Sequence, residues 1–272
     1  MAIGTCKLTL KTGTFVKSHL IPLCFSGPSE GQYFIDGTPG GRPTRRPTSW
    51  YDRALVVRKG EDVLSELDSS AAIELRKGKL VWSGWSGDSD VQEEVAPNPG
   101  EKFGLRTVSG LDVLNLRVFF LSILWRAAAS NLPQNAHVQL PANELEQLRL
   151  MVLHKNPYPL SFLPVQLTQL TSLGPRHNLG PLKMKLPFKL EVEKEELFLQ
   201  SYRFYFDGLV ANIFFDMSFE LHESMSAIYL GGDDSVLAVC VPYDESFQAS
   251  NIQQHQYEAV TNYPDTMIKL LR

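Results

Sequence analysis

One side chain in this sequence sits in a local pattern that could do chemistry: His19, in Ser18-His19-Leu20-Ile21-Pro22. An unprotonated imidazole on an extended segment can take a proton from water. Other catalytic templates fit worse. The remaining histidines are scattered, without His-x-Glu or HExxH spacing. Ser83-Gly84-Trp85-Ser86-Gly87 holds Gly-x-Ser-Gly, one residue short of a nucleophile elbow and outside a strand-to-helix setting. Gly231-Gly232-Asp233-Asp234 is acidic and reads as a hairpin turn, not a phosphate cradle. A second chemistry lies in Arg42, Arg45 and Arg46, set among prolines and glycines. Guanidinium forks match phosphate oxygens in pairs. With Lys17, Arg53, Arg58 and Lys59 these arginines form the set expected to contact nucleic acid; a solvated loop is the competing reading.

The elements that must position these residues follow from periodicity. Residues 6–22 read as two short extended pieces about Lys11-Thr12-Gly13, the second carrying Thr14, Phe15 and Val16 up to His19. The segment from Ser26 to Thr48 reads as loop. Val63, Leu64, Leu67, Ala71 and Leu75 recur at helical spacing, and Asp88 to Gly100 reads as an acidic linker. Leu111 to Ala129 is apolar on nearly every face, which predicts a central buried helix. Asn143 with Glu146 resembles a capping box for a helix reaching His154. Beyond Leu160 the character is β, with Asp207-Gly208 as the strongest hairpin signal. Ala227–Leu230 and Val236–Val241 read as a second hairpin, and Gln254 to Leu271 as a helix interrupted by Pro264. The expected fold is α+β: a small N-terminal module over residues 1–87, a linker over 88–100, and a body over 101–272 with a helical middle and a mostly antiparallel C-terminal sheet.

Charge is unevenly spread along the 272 residues. Residues 1–60 carry nine Lys and Arg against three Asp and Glu, whereas the remainder carries 17 against 27. A basic end on an acidic body is the asymmetry expected when one end meets a polyanion. Cys6, Cys24 and Cys240 make no disulfide framework and no complete metal set, which fits a reducing cytoplasm. No secretory signal is read at the N-terminus, and the apolar run Val118–Trp125 is too short to span a bilayer. A cytoplasmic protein away from membranes is expected.

Across residues 6–75 the order of residues resembles a bacterial family of HNH-like, or ββα-metal, proteins. Ser18-His19-Leu20-Ile21-Pro22 matches its His element, Arg45-Arg46 its basic loop, Tyr51-Asp52 its Tyr-Asp step, and the Phe119–Arg126 stretch its middle region. The resemblance implies a ββα module in which His19 is the general base of a metal-dependent endonuclease. It also implies a structural zinc held by two Cys-x-x-Cys pairs. Here only Cys6 of those thiols remains, with Thr9, Val57 and Gly60 at the other positions, so no zinc is expected. Packing of Leu8 and Val57 is expected to offset its loss. The HNH reaction uses a different, hard cation, so a Mg²⁺ site of His19, Asp52 and Glu61 is the expectation for an active enzyme. The bland alternatives are a turn Asp52, a helix-start Glu61 and a hydrogen-bonded His19. Two functions follow from the resemblance: nucleic-acid binding or cleavage through the N-terminal module, or an inactive scaffold that binds protein partners through its C-terminal body, for example in phage defence or a mobile element.

Overall fold

The computed structural model describes residues 2–27, 33–36, 42–85, 91, 95–97, 103–188 and 197–271. The N-terminal elements are β1 (Ile3–Thr5), β2 (Thr12–Thr14), β3 (Ser18–His19), the single turn α1 (Leu23–Ser26), β4 (Phe34–Asp36), β5 (Thr44–Arg46), β6 (Tyr51–Asp52) and the long helix α2 (Arg58–Lys77). There follow β7 (Ala96–Pro97), β8 (Gly104–Ser109), α3 (Val113–Ala129), α4 (Ala142–His154), β9 (Val165–Leu170), β10 (Leu182–Phe188), β11 (Leu197–Phe206), β12 (Leu209–Phe215), α5 (Phe219–Met225), β13 (Ser235–Val241), α6 (Phe247–Asn262) and α7 (Pro264–Leu271). The fold is α+β. Seven strands form the main sheet in the order β10-β11-β12-β9-β13-β8-β7, antiparallel except where β13 runs parallel to β9.

Helix α3 is the centre. Its N-terminus is capped by Asp112, whose carboxylate accepts from the Asn115 N–H at 3.1 Å. Leu116, Phe119, Phe120, Leu121 and Leu124 are fully buried. The helix packs against α2 and α4 and meets β11 through Phe119, Phe120 and Phe206. One hydrophobic cluster runs from Cys6 and Leu8 through α2 and α3 to Ala238 on β13, so the N-terminal elements and the sheet share a core. Among the described residues no helix is long and apolar enough to cross a membrane.

The β11–β12 hairpin forms as the sequence predicts, with Asp207 at φ 48° and Gly208 at φ 80°. Such a pair of positive φ values matches the twist of antiparallel strands. Gly208 has a second reason to be glycine: an added Cβ would lie 2.3 Å from the Trp82 indole. Several expectations need correction. Ser235–Val241 is a strand, but it pairs with β8 and β9 and not with the segment before Gly231, where Ser226–Ile228 forms a 3-10 turn. Asn143 caps nothing; α4 starts after Pro141, and Glu146 instead takes both forks of Arg149 at 2.7 Å. The first hairpin turns over residues 6–11, before the expected Lys11-Thr12-Gly13. Within 88–100, Val91 is buried against the cluster of Trp82 and Trp85, and Ala96–Pro97 adds an edge strand to β8; apart from Val95, the rest of that stretch lies outside the described residues.

Candidate nucleic-acid interface and the His19 site

Strands β3 and β6 pair antiparallel, and α2 follows β6, so a ββα order frames His19. Ser18 lies opposite Asp52, and His19 opposite Tyr51. Directly opposed residues share a face, and neighbours along a strand alternate. The ribbon therefore turns Ser18 and Asp52 inward, where both are buried, and turns His19 and Tyr51 the other way, half-buried.

His19 Nε2 lies 3.3 Å from Thr48 Oγ1, and its ring meets Tyr51 edge-on at 5.8 Å. Burial lowers its pKa first, and the positive charges of Lys17 and Arg126 lower it further, with Asp68 opposing. The imidazole is thus held neutral at physiological pH, the form a general base needs. Its backbone is fixed from α3: Arg126 donates to the His19 carbonyl at 3.3 Å and grips both Asp68 oxygens at 3.1 and 2.5 Å.

The partners expected to complete a cation site lie elsewhere. Asp52 makes an Asx turn, accepting from the Ala54 N–H at 2.7 Å, and its second oxygen accepts from Ser130 Oγ at 2.8 Å. It faces away from His19, with each oxygen already bonded. Glu61 stands in the first turn of α2 beside Ser18, its Oε2 buried without a hydrogen bond. Burial raises its pKa, while Ser18 and Arg126 act in the opposite direction. Among the described residues no three His, Cys, Asp or Glu side chains are placed to hold a metal ion together. His19, Asp52 and Glu61 do not fit a shared Mg²⁺ site, and Asp52 takes the role of a turn residue.

The four positions where the resemblance puts zinc ligands do come together. The Thr9 N–H points at Cys6 Sγ, 3.4 Å away, and a Cβ on Gly60 would lie 2.7 Å from the same sulfur. Val57 bridges Phe15 next to them. Leu10 sits at φ 57° as the chain turns back. One thiol with threonine, valine and glycine does not fit a tetrahedral zinc site. Direct tethers hold the loop in its place: Lys7 Nζ donates to the Ala129 carbonyl and Arg149 to the Leu8 carbonyl, each at 2.5 Å, while Leu8 itself is fully buried.

The basic residues divide into two groups. Lys17 and Arg53 are exposed on either side of Tyr51 in sequence, with Lys17 Nζ 4.1 Å and the Arg53 guanidinium 5.4 Å from the centre of its ring. Val16 donates to the Val56 carbonyl at 3.1 Å, which brings Lys17 beside the start of α2, where Arg58 and Lys59 are exposed. The loop arginines meet the body of the protein. Arg42 donates to Thr266 Oγ1 at 2.9 Å, and Arg45 donates twice to the Leu270 carbonyl, so both engage α7. Arg46 is half-buried on β5. Sequence reasoning missed Tyr51, Thr48, Arg126 and Asp68. Arg126 carries a legible signal, because an arginine in an apolar helix must find a partner; nothing local identifies Asp68 as that partner. No family model, no curated protein and no solved structure matches the chain.

Proposed function

We propose that this chain is a divergent HNH-like protein that binds nucleic acid through the face of Lys17, Tyr51 and Arg53, extended by Arg58 and Lys59, without HNH-type cleavage. The observation that carries the reading is the pair of exposed cations gathered over the Tyr51 ring, Lys17 at 4.1 Å and Arg53 at 5.4 Å, with His19 edge-on beside it. Cations supply phosphate affinity, and their contact with the ring holds the two charges together on one surface. Binding without cleavage is supported by the inward turn of Asp52, whose oxygens are taken by Ala54 and Ser130 and not by a cation shared with His19. The test is a metal-dependent cleavage assay on DNA and RNA run beside a binding assay. Salt-sensitive binding with no cleavage fits the proposal, and cleavage abolished by His19→Ala overturns its non-enzymatic half.

The alternative of a protein-binding scaffold has one observation of its own. The terminal helices expose Tyr257, Val260, Ile268 and Leu271, from 51% to 71% accessible. A chain in which substitution of Lys17 and Arg53 leaves every interaction intact would favour that reading.

A further inference from the structure

The guanidiniums of Arg42 and Arg45 are expected from sequence to meet phosphate, yet both are turned onto the C-terminal helix. The acceptor for Arg45 is the carbonyl of Leu270, in the last turn of α7. The last four carbonyls of a helix lack an intrahelical partner and carry the partial negative charge of the helix dipole. The Arg45 fork is therefore filled by an acceptor of the same sign as a phosphate oxygen, though weaker, since a phosphodiester carries a full charge. The Tyr33 ring lies 5.7 Å from the same guanidinium. Both arginines belong to the segment that leads through Thr48, which touches His19, into β6 and the proposed binding face.

Helix α7 is lightly held. Met267 is its one buried residue among those described, while Ile268 is 51% and Leu271 71% exposed. The preceding α6 buries only Gln248 and Ala249, both at its start. Contacts to Arg42 and Arg45 are thus a notable share of what keeps α7 in place.

We propose that α7 is an autoinhibitory latch: it occupies Arg42 and Arg45 in the free protein, and a phosphodiester backbone displaces it and takes both arginines as further contacts. This rests on the nucleic-acid-binding reading and adds regulation to it. Linkage makes the effect reciprocal, so bound nucleic acid must loosen α7, and loosening α7 must strengthen binding.

The full-length chain tests this with Met267→Ser, which weakens docking of α7 without adding charge, and with Thr266→Val, which removes only the acceptor for Arg42. Binding to a labelled DNA duplex and to a single-stranded RNA is measured from 50 to 200 mM salt. Because the bound wild type also holds both arginines, the latch predicts the same salt slope in all three proteins and tighter binding at each salt concentration, by about fivefold or more for Met267→Ser. A smaller gain is expected for Thr266→Val, which frees Arg42 alone. In the wild type, hydrogen exchange of the α7 amides should quicken when nucleic acid binds. Binding that depends on Lys17 and Arg53 but leaves both variants and α7 exchange unchanged overturns the latch alone. Failure of the wild type and both variants to bind either nucleic acid overturns the binding face and the latch together.

Discussion

Gly60→Ala probes the packing that stands where zinc ligands would be. The new Cβ would meet Cys6 Sγ at 2.7 Å and Val56 Cβ at 3.0 Å, and the sulfur is fully buried, so the clash cannot escape into solvent. Overpacking of this kind costs about 1–3 kcal/mol. Alanine in place of glycine within a helix returns up to about 1 kcal/mol, so a net loss of about 1 kcal/mol is expected. Cys6→Ala alone opens a small cavity and should cost about 1 kcal/mol. In the double variant the Gly60→Ala methyl fills the space that the sulfur vacates, and the two losses should fall short of adding by about 1–2 kcal/mol. Urea denaturation followed by circular dichroism measures all four proteins, with equal slopes required for the comparison. Additivity to within about 0.5 kcal/mol would refute the contact. The same titration with a strong zinc chelator should leave the wild-type midpoint unchanged, since a structural zinc contributes on the order of 10 kcal/mol and its removal could not be missed.

Further outcomes follow from the geometry. Arg126→Leu leaves Asp68, 20% exposed, and the His19 carbonyl without their donor; breaking a fully buried pair costs about 3–5 kcal/mol, and the exposure of Asp68 places this one near about 3 kcal/mol in a melt. In the same variant the loss of a nearby cation should raise the His19 pKa, read by NMR titration. Leu10→Gly should stabilise by about 0.5–1 kcal/mol, because Leu10 is exposed at φ 57° and a left-handed conformation costs a side chain more than glycine loses in entropy. Stability should also fall in mild acid. His177 accepts from Gln248 at 2.8 Å through Nε2, donates from Nδ1 to the Pro175 carbonyl at 2.6 Å, and stacks on Tyr205, so it is half-buried and neutral near Arg203, with its pKa lowered chiefly by burial. The unfolded chain then takes up a proton near pH 6.5 while the folded one does not. Stability present above that pH is lost as pH falls toward the lowered folded value, and His177→Phe should remove part of this slope, leaving the part due to His19.

The sequence was most legible where a single element carries its own signal. Leu64, Leu67, Ala71 and Leu75 mark the buried stripe of α2, the apolar run of α3 marks the centre, and Asp207-Gly208 marks a hairpin that forms. It was least legible where partners lie far apart in the chain. Gly231–Asp234 has the composition of a hairpin turn, yet the strand after it finds β8 and β9, a choice that local residues do not encode. Strand β8 was hidden because Arg106, which looks like a surface residue, turns inward to Gln169 at 3.0 Å. At the candidate site the module order and the convergence of Cys6, Thr9, Val57 and Gly60 could be read in advance. The separation of His19 from Asp52 is a matter of strand parity, visible only once Ser18 is known to face Asp52. The α7 partners of Arg42 and Arg45 were hidden for a similar reason, since those acceptors lie more than 200 positions away in the chain.

The central claim is that Lys17 and Arg53 bind the phosphate backbone while His19 does no cutting. It is tested most directly by the salt dependence of nucleic-acid binding in the wild type, Lys17→Ala and Arg53→Ala, with product analysis of each sample after incubation with Mg²⁺. Each substitution should lower the slope of log K against log salt by about 0.9 on duplex DNA and leave the nucleic acid uncut. Slopes unchanged by either substitution, or cleavage that requires His19, would contradict it.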